Sequence, residues 1–335
     1  MNYAEENEIV EKKIKLWKRV ALVFAIVLLF GACIFSAFVP AETWKYYFGT
    51  PKIQARKDGE LRMHFLNVGE GDCSIVEFPD GKVMMVDGGN GAEATATTIL
   101  RYLNALKIKT IDYVMLTHAD SDHCGGLDAI LKYKEVKKVY AQKVSPTVNK
   151  EYAEFYDAIL EEGCDATIAT RGESIESNRE DCSYALKVIW PYTSDLDNEK
   201  EDAENTNILS TVFWLDYGGT SALFTGDMTN FGEKKLLQDA KMGFLDVYGV
   251  DLKSTEILKV AHHGSADASS MEFLSYLGLE TAVISCARAN MYGHPSAETV
   301  TNLQTIGAKD YRTYNGHVMI SISKDGTYTV EQITA

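Results

Sequence analysis

The stretch Tyr113-Val114-Met115-Leu116-Thr117-His118-Ala119-Asp120-Ser121-Asp122-His123-Cys124-Gly125-Gly126 runs from an apolar strand into a crowded polar turn. His118, Asp120, Asp122 and His123 put four candidate ligands within six residues, and imidazole nitrogens with carboxylate oxygens are common ligands of divalent cations. Gly125 and Gly126 permit the tight turn that a strand-to-helix loop needs. A polar turn with one helix-capping aspartate explains one carboxylate but not two flanking histidines, and acids so crowded repel one another unless a cation lies among them.

Three later stretches end in the same kinds of side chain. Leu223-Phe224-Thr225-Gly226-Asp227 ends an apolar run on a carboxylate, and Leu258-Lys259-Val260-Ala261-His262-His263-Gly264-Ser265 ends another on two imidazoles. Tyr292-Gly293-His294-Pro295 supplies a further histidine. Singly these are ordinary turn residues; strands ending at one sheet edge would bring them together.

With Asn67-Val68-Gly69-Glu70-Gly71-Asp72-Cys73 and Val86-Asp87-Gly88-Gly89 before them, these motifs in this order resemble the metallo-β-lactamase-fold hydrolases. More narrowly, they resemble the soluble hydrolase domain of ComEC-type competence proteins, from about Leu61 to the C-terminus. The resemblance implies an α/β fold, a metallo-β-lactamase-like four-layer αββα sandwich of two mixed sheets with helices outside. It also implies two divalent metal ions, zinc or manganese, at one sheet edge. Carried over residue by residue, His118 and Asp120 hold one metal, Asp122 and His123 the other, and Asp227 bridges them. His262 or His263 completes the second site; on an extended strand consecutive residues face opposite ways, so one of the pair, preferentially His262, is expected to face the metals. His294 is placed to polarise a phosphoryl oxygen or protonate a leaving group, so Asp122, Asp227 and His294 are the catalytic candidates. Asp72, Asp87 and Asn67 read as loop-fixing or ligand-supporting groups.

Two departures from the wider family pattern bear on the metal. Asp120 stands where the superfamily commonly has a second histidine, and a harder oxygen ligand favours manganese. Asn205-Thr206-Asn207 arrives where many relatives place another histidine. The transport function of a DNA importer is not carried over, because one hydrophobic span cannot form a multi-helix channel.

That span runs from Val20 to Val39, is uncharged, and as a helix rises about 30 Å, one bilayer core. Lys12, Lys13, Lys15, Lys18 and Arg19 precede it, so the positive-inside rule expects residues 1–19 in the cytoplasm, a single-pass anchor at 20–39, a linker at 40–59 and an extracellular hydrolase domain at 60–335. A cleaved signal peptide or a lipoprotein site near Cys33 is the competing reading. Trp44, Tyr46, Tyr47 and Phe48 follow at interfacial depth.

Beyond the linker, strand-like runs fall at 61–68, 73–78, 82–86, 111–117, 184–190, 208–215, 221–225 and 257–261. Helical spacing marks 95–106, 127–134, 150–162, 231–240, 269–277 and 297–306. The acidic run 195–204 reads as a solvated loop. With 335 residues, 46% hydrophobic, the chain is neither disordered nor a disulfide scaffold. A net charge of −15 argues against a general electrostatic grip on nucleic acid, leaving Arg288 and Arg312 as candidates for a local anion site near His294. The five cysteines beyond the span lack CxxC spacing, and most of them read as small buried hydrophobes, with Cys124 the one near a candidate site.

The expected function is therefore a membrane-anchored extracellular metal-dependent hydrolase that uses a metal-bridged hydroxide. It is expected to act as a phosphodiesterase or nuclease-like enzyme on a nucleic acid, a nucleotide or a cell-envelope polymer. Carbonyl-ester, thioester or lactam hydrolysis by the same fold, and a non-catalytic metal-binding surface module, are the alternatives. No protein partner follows from the sequence.

Overall fold

In the computed structural model, which describes residues 3–177, 179–193 and 206–334, every residue of strand β1 (Leu61–Phe65) is buried. Leu61, Met63 and Phe65 enter an apolar core shared with the second sheet. His64 bonds instead to Tyr102 in the helix Glu93–Ala105, 3.0 Å from its hydroxyl. A strand covered on both faces implies layers on both sides.

The other strands among the described residues are β2 (Ser74–Glu77), β3 (Val83–Val86), β4 (Thr110–Met115), β5 (Glu135–Ala141), β6 (Asp165–Ile168), β7 (Ser174–Glu176), β8 (Tyr184–Trp190), β9 (Val212–Tyr217), β10 (Thr220–Phe224), β11 (Thr255–Lys259), β12 (Thr281–Ile284), β13 (Lys309–Arg312), β14 (His317–Ile322) and β15 (Tyr328–Ile333). One sheet has the order β15-β14-β1-β2-β3-β4-β5-β6, the other β13-β12-β11-β10-β9-β8-β7. In each sheet antiparallel hairpins give way to parallel strands, β3 to β6 in the first and β10 to β13 in the second. The eight strand-like runs read from the sequence each contain a strand; β5 to β7 and β12 to β15 were not anticipated, several being short or polar.

Between the sheets, Phe224 stacks on Phe213 with centroids 4.6 Å apart and on Phe65 at 5.6 Å. Outside the second sheet, Trp214, Leu223, Leu258 and Ala282 share a second core with Leu236, Leu237, Phe273, Leu274 and Leu303. Those last five come from the helices Asn230–Lys241, Met271–Tyr276 and Ala297–Thr305. Beside the first sheet, the helices Glu93–Ala105, Leu127–Tyr133 and Lys150–Glu162 bury Ile99, Leu103, Ile130, Leu131, Phe155 and Ile159. Asn149 caps the last of these by accepting from Tyr152 N at 2.7 Å. The fold is the four-layer sandwich that the resemblance implied. The parallel stretches end together, so the loops after β4, β10, β11 and β12 share one edge.

The chain divides into two compact units, Met1–Phe48 and Gly49–Ala335. The first contains the α-helix Tyr3–Phe38, long enough over Val10–Phe38 to cross a membrane, with an 18-residue stretch of mean hydropathy 2.8. It starts well before Val20 because a charged segment with Glu8–Lys12 and Glu11–Lys15 pairs extends it. The region expected as a linker is divided: Ala41–Tyr46 is a 3-10 helix, whereas Gln54 and Ala55 accept hydrogen bonds from Arg62 of β1. The acidic run 195–204 lies outside the described residues.

Candidate metal centre

Leu116 N still bonds to Tyr140 O of β5 at 2.8 Å, and at Thr117 the chain leaves the sheet. Asp87, beyond β3, governs that exit. Its Oδ1 accepts from Thr117 N at 2.7 Å and its Oδ2 from the Thr117 hydroxyl at 2.8 Å and from His123 Nδ1 at 2.9 Å. A proton held on His123 Nδ1 leaves Nε2 as the ligating nitrogen. His123 sits in the short helix Ser121–Cys124, with Asp120 at its N-cap. The neighbouring loop comes close enough that a Cβ on Gly71 would lie 2.4 Å from Asp122 O.

From the second sheet, Gly226 turns at φ +50° to deliver Asp227, whose N–H donates to Ser210 Oγ at 3.1 Å. After β11 the chain is not extended. His262 (φ 47°) and His263 (φ 53°) both take left-handed backbone, which costs about 1–3 kcal/mol each outside glycine. The alternation expected for this pair therefore fails, and both rings turn the same way: His262 Nε2 lies 3.7 Å and His263 Nε2 3.5 Å from Asp227 Oδ2. His263 is the more enclosed, with Nδ1 donating to Ser285 O at 3.0 Å and Nε2 3.1 Å from Asp122 Oδ2. His262 Nδ1 is 2.9 Å from Asp267 Oδ1.

The other six residues expected as ligands gather around Asp227. His118 Nε2 is 3.8 Å from Asp227 Oδ2 and 3.7 Å from Asp120 Oδ2. His123 Nε2 is 3.3 Å from Asp227 Oδ1 and 4.0 Å from Asp122 Oδ2. Asp72, His123, Asp227 and His263 also form a buried group with ligating atoms within 4.8 Å of one another. Asp72, however, is paired at 2.6 Å with the buried Lys259 ammonium and lies 3.5 Å from His263 Nδ1, behind the imidazole. It orients His263, as the sequence reading of a supporting group has it. Thr206 donates to Asp120 Oδ1 at 2.6 Å, so the segment that replaces a family histidine fixes a carboxylate instead.

The donor set fits a divalent cation. His118 Nε2 is buried without a hydrogen-bond partner, a costly state unless a ligand satisfies it. Burial alone would drive protons off His263, yet the Asp227, Asp122 and Asp72 carboxylates hold its pKa up, at about 10. Burial likewise opposes the charged form of Asp122, but His123 and His263 bring it down to about 2. Protons on imidazoles occupy the place that a cation would take.

His294 closes the opposite wall, its Nδ1 3.1 Å from Glu70 Oε1. Glu70 Oε2 accepts from Ala287 N at 2.8 Å. The cleft, of about 150 Å³, is lined by Glu70, Asp120, Asp122, Asp227, His262, His263, Tyr292 and His294. Glu70 and Asp267 were missed as site residues, although Glu70 lay inside a recognised motif; 224 positions separate it from the histidine it holds. Arg288 and Arg312 do not form the expected anion site. Arg288 donates to Asn315, and Arg312 to Asp310 and Tyr314, and neither lines the cleft. Burial pushes the Cys124 thiol up to about 12, which leaves it unreactive.

Residues 66–288 match the pattern of the metallo-beta-lactamase superfamily. The chain belongs to that superfamily. Among curated relatives it is 28% identical over 290 residues to ComE operon protein 3 of Bacillus subtilis (strain 168), covering 82% of this chain and 34% of that protein. Competence protein ComA of Neisseria gonorrhoeae is 27% identical over 274 residues, again 82% and 34%. The chain thus spans about a third of the length of these relatives, and the ComEC-type likeness extends over most of it. Among solved structures, CmlA, a diiron beta-hydroxylase from Streptomyces venezuelae, superposes with a TM-score of 0.50 at 13% identity, covering 83% of this chain and 55% of that one. That likeness concerns the fold. Superfamily membership and the buried Asp/His cluster together point to a divalent metal site on a metal-dependent hydrolase fold.

Proposed function

We propose that this chain is a membrane-anchored phosphodiesterase whose hydrolase domain lies outside the cell, acting on a nucleic acid, a nucleotide or a cell-envelope polymer. The observation that carries this reading is the convergence of four imidazoles on Asp227, with Asp120 and Asp122 beside them. Such a set suits two divalent cations: His118 and Asp120 toward one, Asp122, His123 and His263 toward the other, with Asp227 between and His262 at its edge. Zinc or manganese fits, and the Asp120 oxygen inclines the first position toward manganese. When bound, such cations lower the pKa of water to near neutrality and neutralise charge on phosphoryl oxygens.

The chain's own residues prepare the rest. No serine or cysteine lines the cleft among the described residues, and water is the nucleophile that this reading calls for. Asp87, Asp267 and the Ser285 carbonyl each hold one nitrogen of a histidine and leave the other toward Asp227. Glu70 likewise holds Nδ1 of His294, which leaves Nε2 to carry the proton for the departing oxygen. An anionic phosphodiester would gain more from cations held here than a neutral ester would. The basic flank of the N-terminal helix supports a cytoplasmic N-terminus.

The test offers full-length protein, loaded separately with zinc and manganese, a bis-nitrophenyl phosphate, a thioester and a cephalosporin. Turnover of the phosphate ester that is abolished by Asp227→Ala is expected. Turnover of the thioester or lactam alone would overturn the phosphodiester reading, and bound metal without turnover of any would make the domain a binding module.

A further inference from the structure

The rim of the cleft carries an aromatic side chain that the chemistry above leaves unused. Tyr292 lies between β12 and the helix Ala297–Thr305, lines the cleft and stacks on His294, with ring centroids 5.6 Å apart and planes 21° from parallel. It is nevertheless 67% exposed, and the adjoining Met291 89%, so core packing does not explain its position. The loop is well tied. Asn290 Nδ2 donates to Ala287 O at 3.0 Å and to His294 O at 2.7 Å, while its Oδ1 accepts from Tyr292 N at 3.2 Å and from His294 N at 2.9 Å. One side chain thereby fixes the backbone on both sides of the ring before any ligand arrives, which reduces the ordering cost of binding.

The surrounding charge makes a neutral platform useful. Among the described residues no lysine or arginine lines the cleft, Arg288 and Arg312 are engaged elsewhere, and the chain carries a net charge of −15. The described lining gives a nucleic-acid strand no basic groove along its phosphates. A ring face beside the reacting phosphate offers a grip that is independent of charge, because every base has a π-face.

We propose that Tyr292 is a stacking platform for a nucleobase flanking the phosphodiester, so that the substrate is a base-bearing strand or nucleotide rather than an envelope polymer. This rests on the phosphodiesterase reading of the same cleft.

Full-length protein in detergent micelles, loaded with manganese, is given a dinucleoside monophosphate and an abasic counterpart with the same backbone. The base-bearing substrate is expected to have a kcat/KM about tenfold higher. Tyr292→Ala should erase that difference chiefly through KM, and Tyr292→Phe should keep it. Equal loss on both substrates would mean that Tyr292 only holds His294, and would overturn the proposal, as would equal wild-type rates on both. Binding is read separately from turnover, with an eight-nucleotide single strand containing 2-aminopurine. Its fluorescence should be quenched by the wild type and not by Tyr292→Ala, with affinity falling only about threefold between 50 and 200 mM salt. No quenching, or a steep salt dependence, overturns the platform. Quenching that depends on Tyr292 without hydrolysis of any diester keeps the platform and removes the phosphodiesterase reading alone.

Discussion

Asp120 is held unlike the other acids of the cleft. One oxygen is occupied by the Thr206 hydroxyl and the other faces His118 Nε2 at 3.7 Å. Asp120→His exchanges a hard anionic oxygen for a borderline neutral nitrogen, so competition between the two metals should shift toward zinc. Equal zinc-to-manganese competition curves for the two proteins would defeat the ligand assignment. A second consequence concerns protons. The Asp227 carboxylate, against the opposing effect of burial, raises His123 well above its usual range and His263 to about 10. In the metal-free protein these raised values stabilise the fold fully below about pH 6.5, and that contribution is lost as pH rises through about 10 for His263. A cation must displace these protons, so metal affinity should rise by about tenfold per pH unit for each proton expelled near neutrality. Calorimetric titrations in buffers of different ionisation enthalpy count the protons, and a pH-independent affinity would show the imidazoles to be neutral already. The sequence made the candidate ligands visible because their residue types are chemically distinctive; Glu70 and Asp267 escaped because acids on loops are ordinary until their partners are known.

Among the elements, the legible ones were those with strong periodicity. The six helical patterns correspond to helices, and the strands that lead into the motifs were found because an apolar run ends in a ligand. Strands such as β6, Asp165-Ala166-Thr167-Ile168, and β13, Lys309-Asp310-Tyr311-Arg312, were not, since an edge or parallel position stabilises them where composition does not. The His262-His263 turn was misread for a related reason: its left-handed backbone depends on contacts such as His262 N to Gly226 O, 3.1 Å across from a neighbouring strand's loop. The loop of Gly71 offers a direct test of this level. Its φ of +122° and the 2.4 Å separation from Asp122 O that a Cβ would have make Gly71→Ala a displacement of Asp122. The variant should keep its far-UV circular dichroism, lose a few degrees of Tm and bind metal about tenfold more weakly or worse. Unchanged metal affinity would show that the loop absorbs the methyl group.

For the whole molecule, the span from Val20 to Val39 lies, but for its last residue, within the longer helix Tyr3–Phe38, so hydropathy located the candidate span and charge alone addressed its sidedness. Full-length protein should fractionate with membranes, and protease added to intact cells should digest the hydrolase domain; a soluble or protease-sheltered domain would reject the extracellular placement. Resemblance, not periodicity, supplied the pairing of the two sheets, since neither half of the chain records which surface it will meet. The centre lies across that seam: Asp122 and His263, 3.1 Å apart, are separated by 141 positions and come from loops of different sheets. Neither sheet by itself owns a complete set of ligands. A cation held by both would therefore fasten the sandwich like a clasp, stabilising the docked arrangement over any in which the sheets part, by an amount that grows with its free concentration. Occupancy would then be a record of assembly, and the compartment in which the two halves first close would determine which ion is caught.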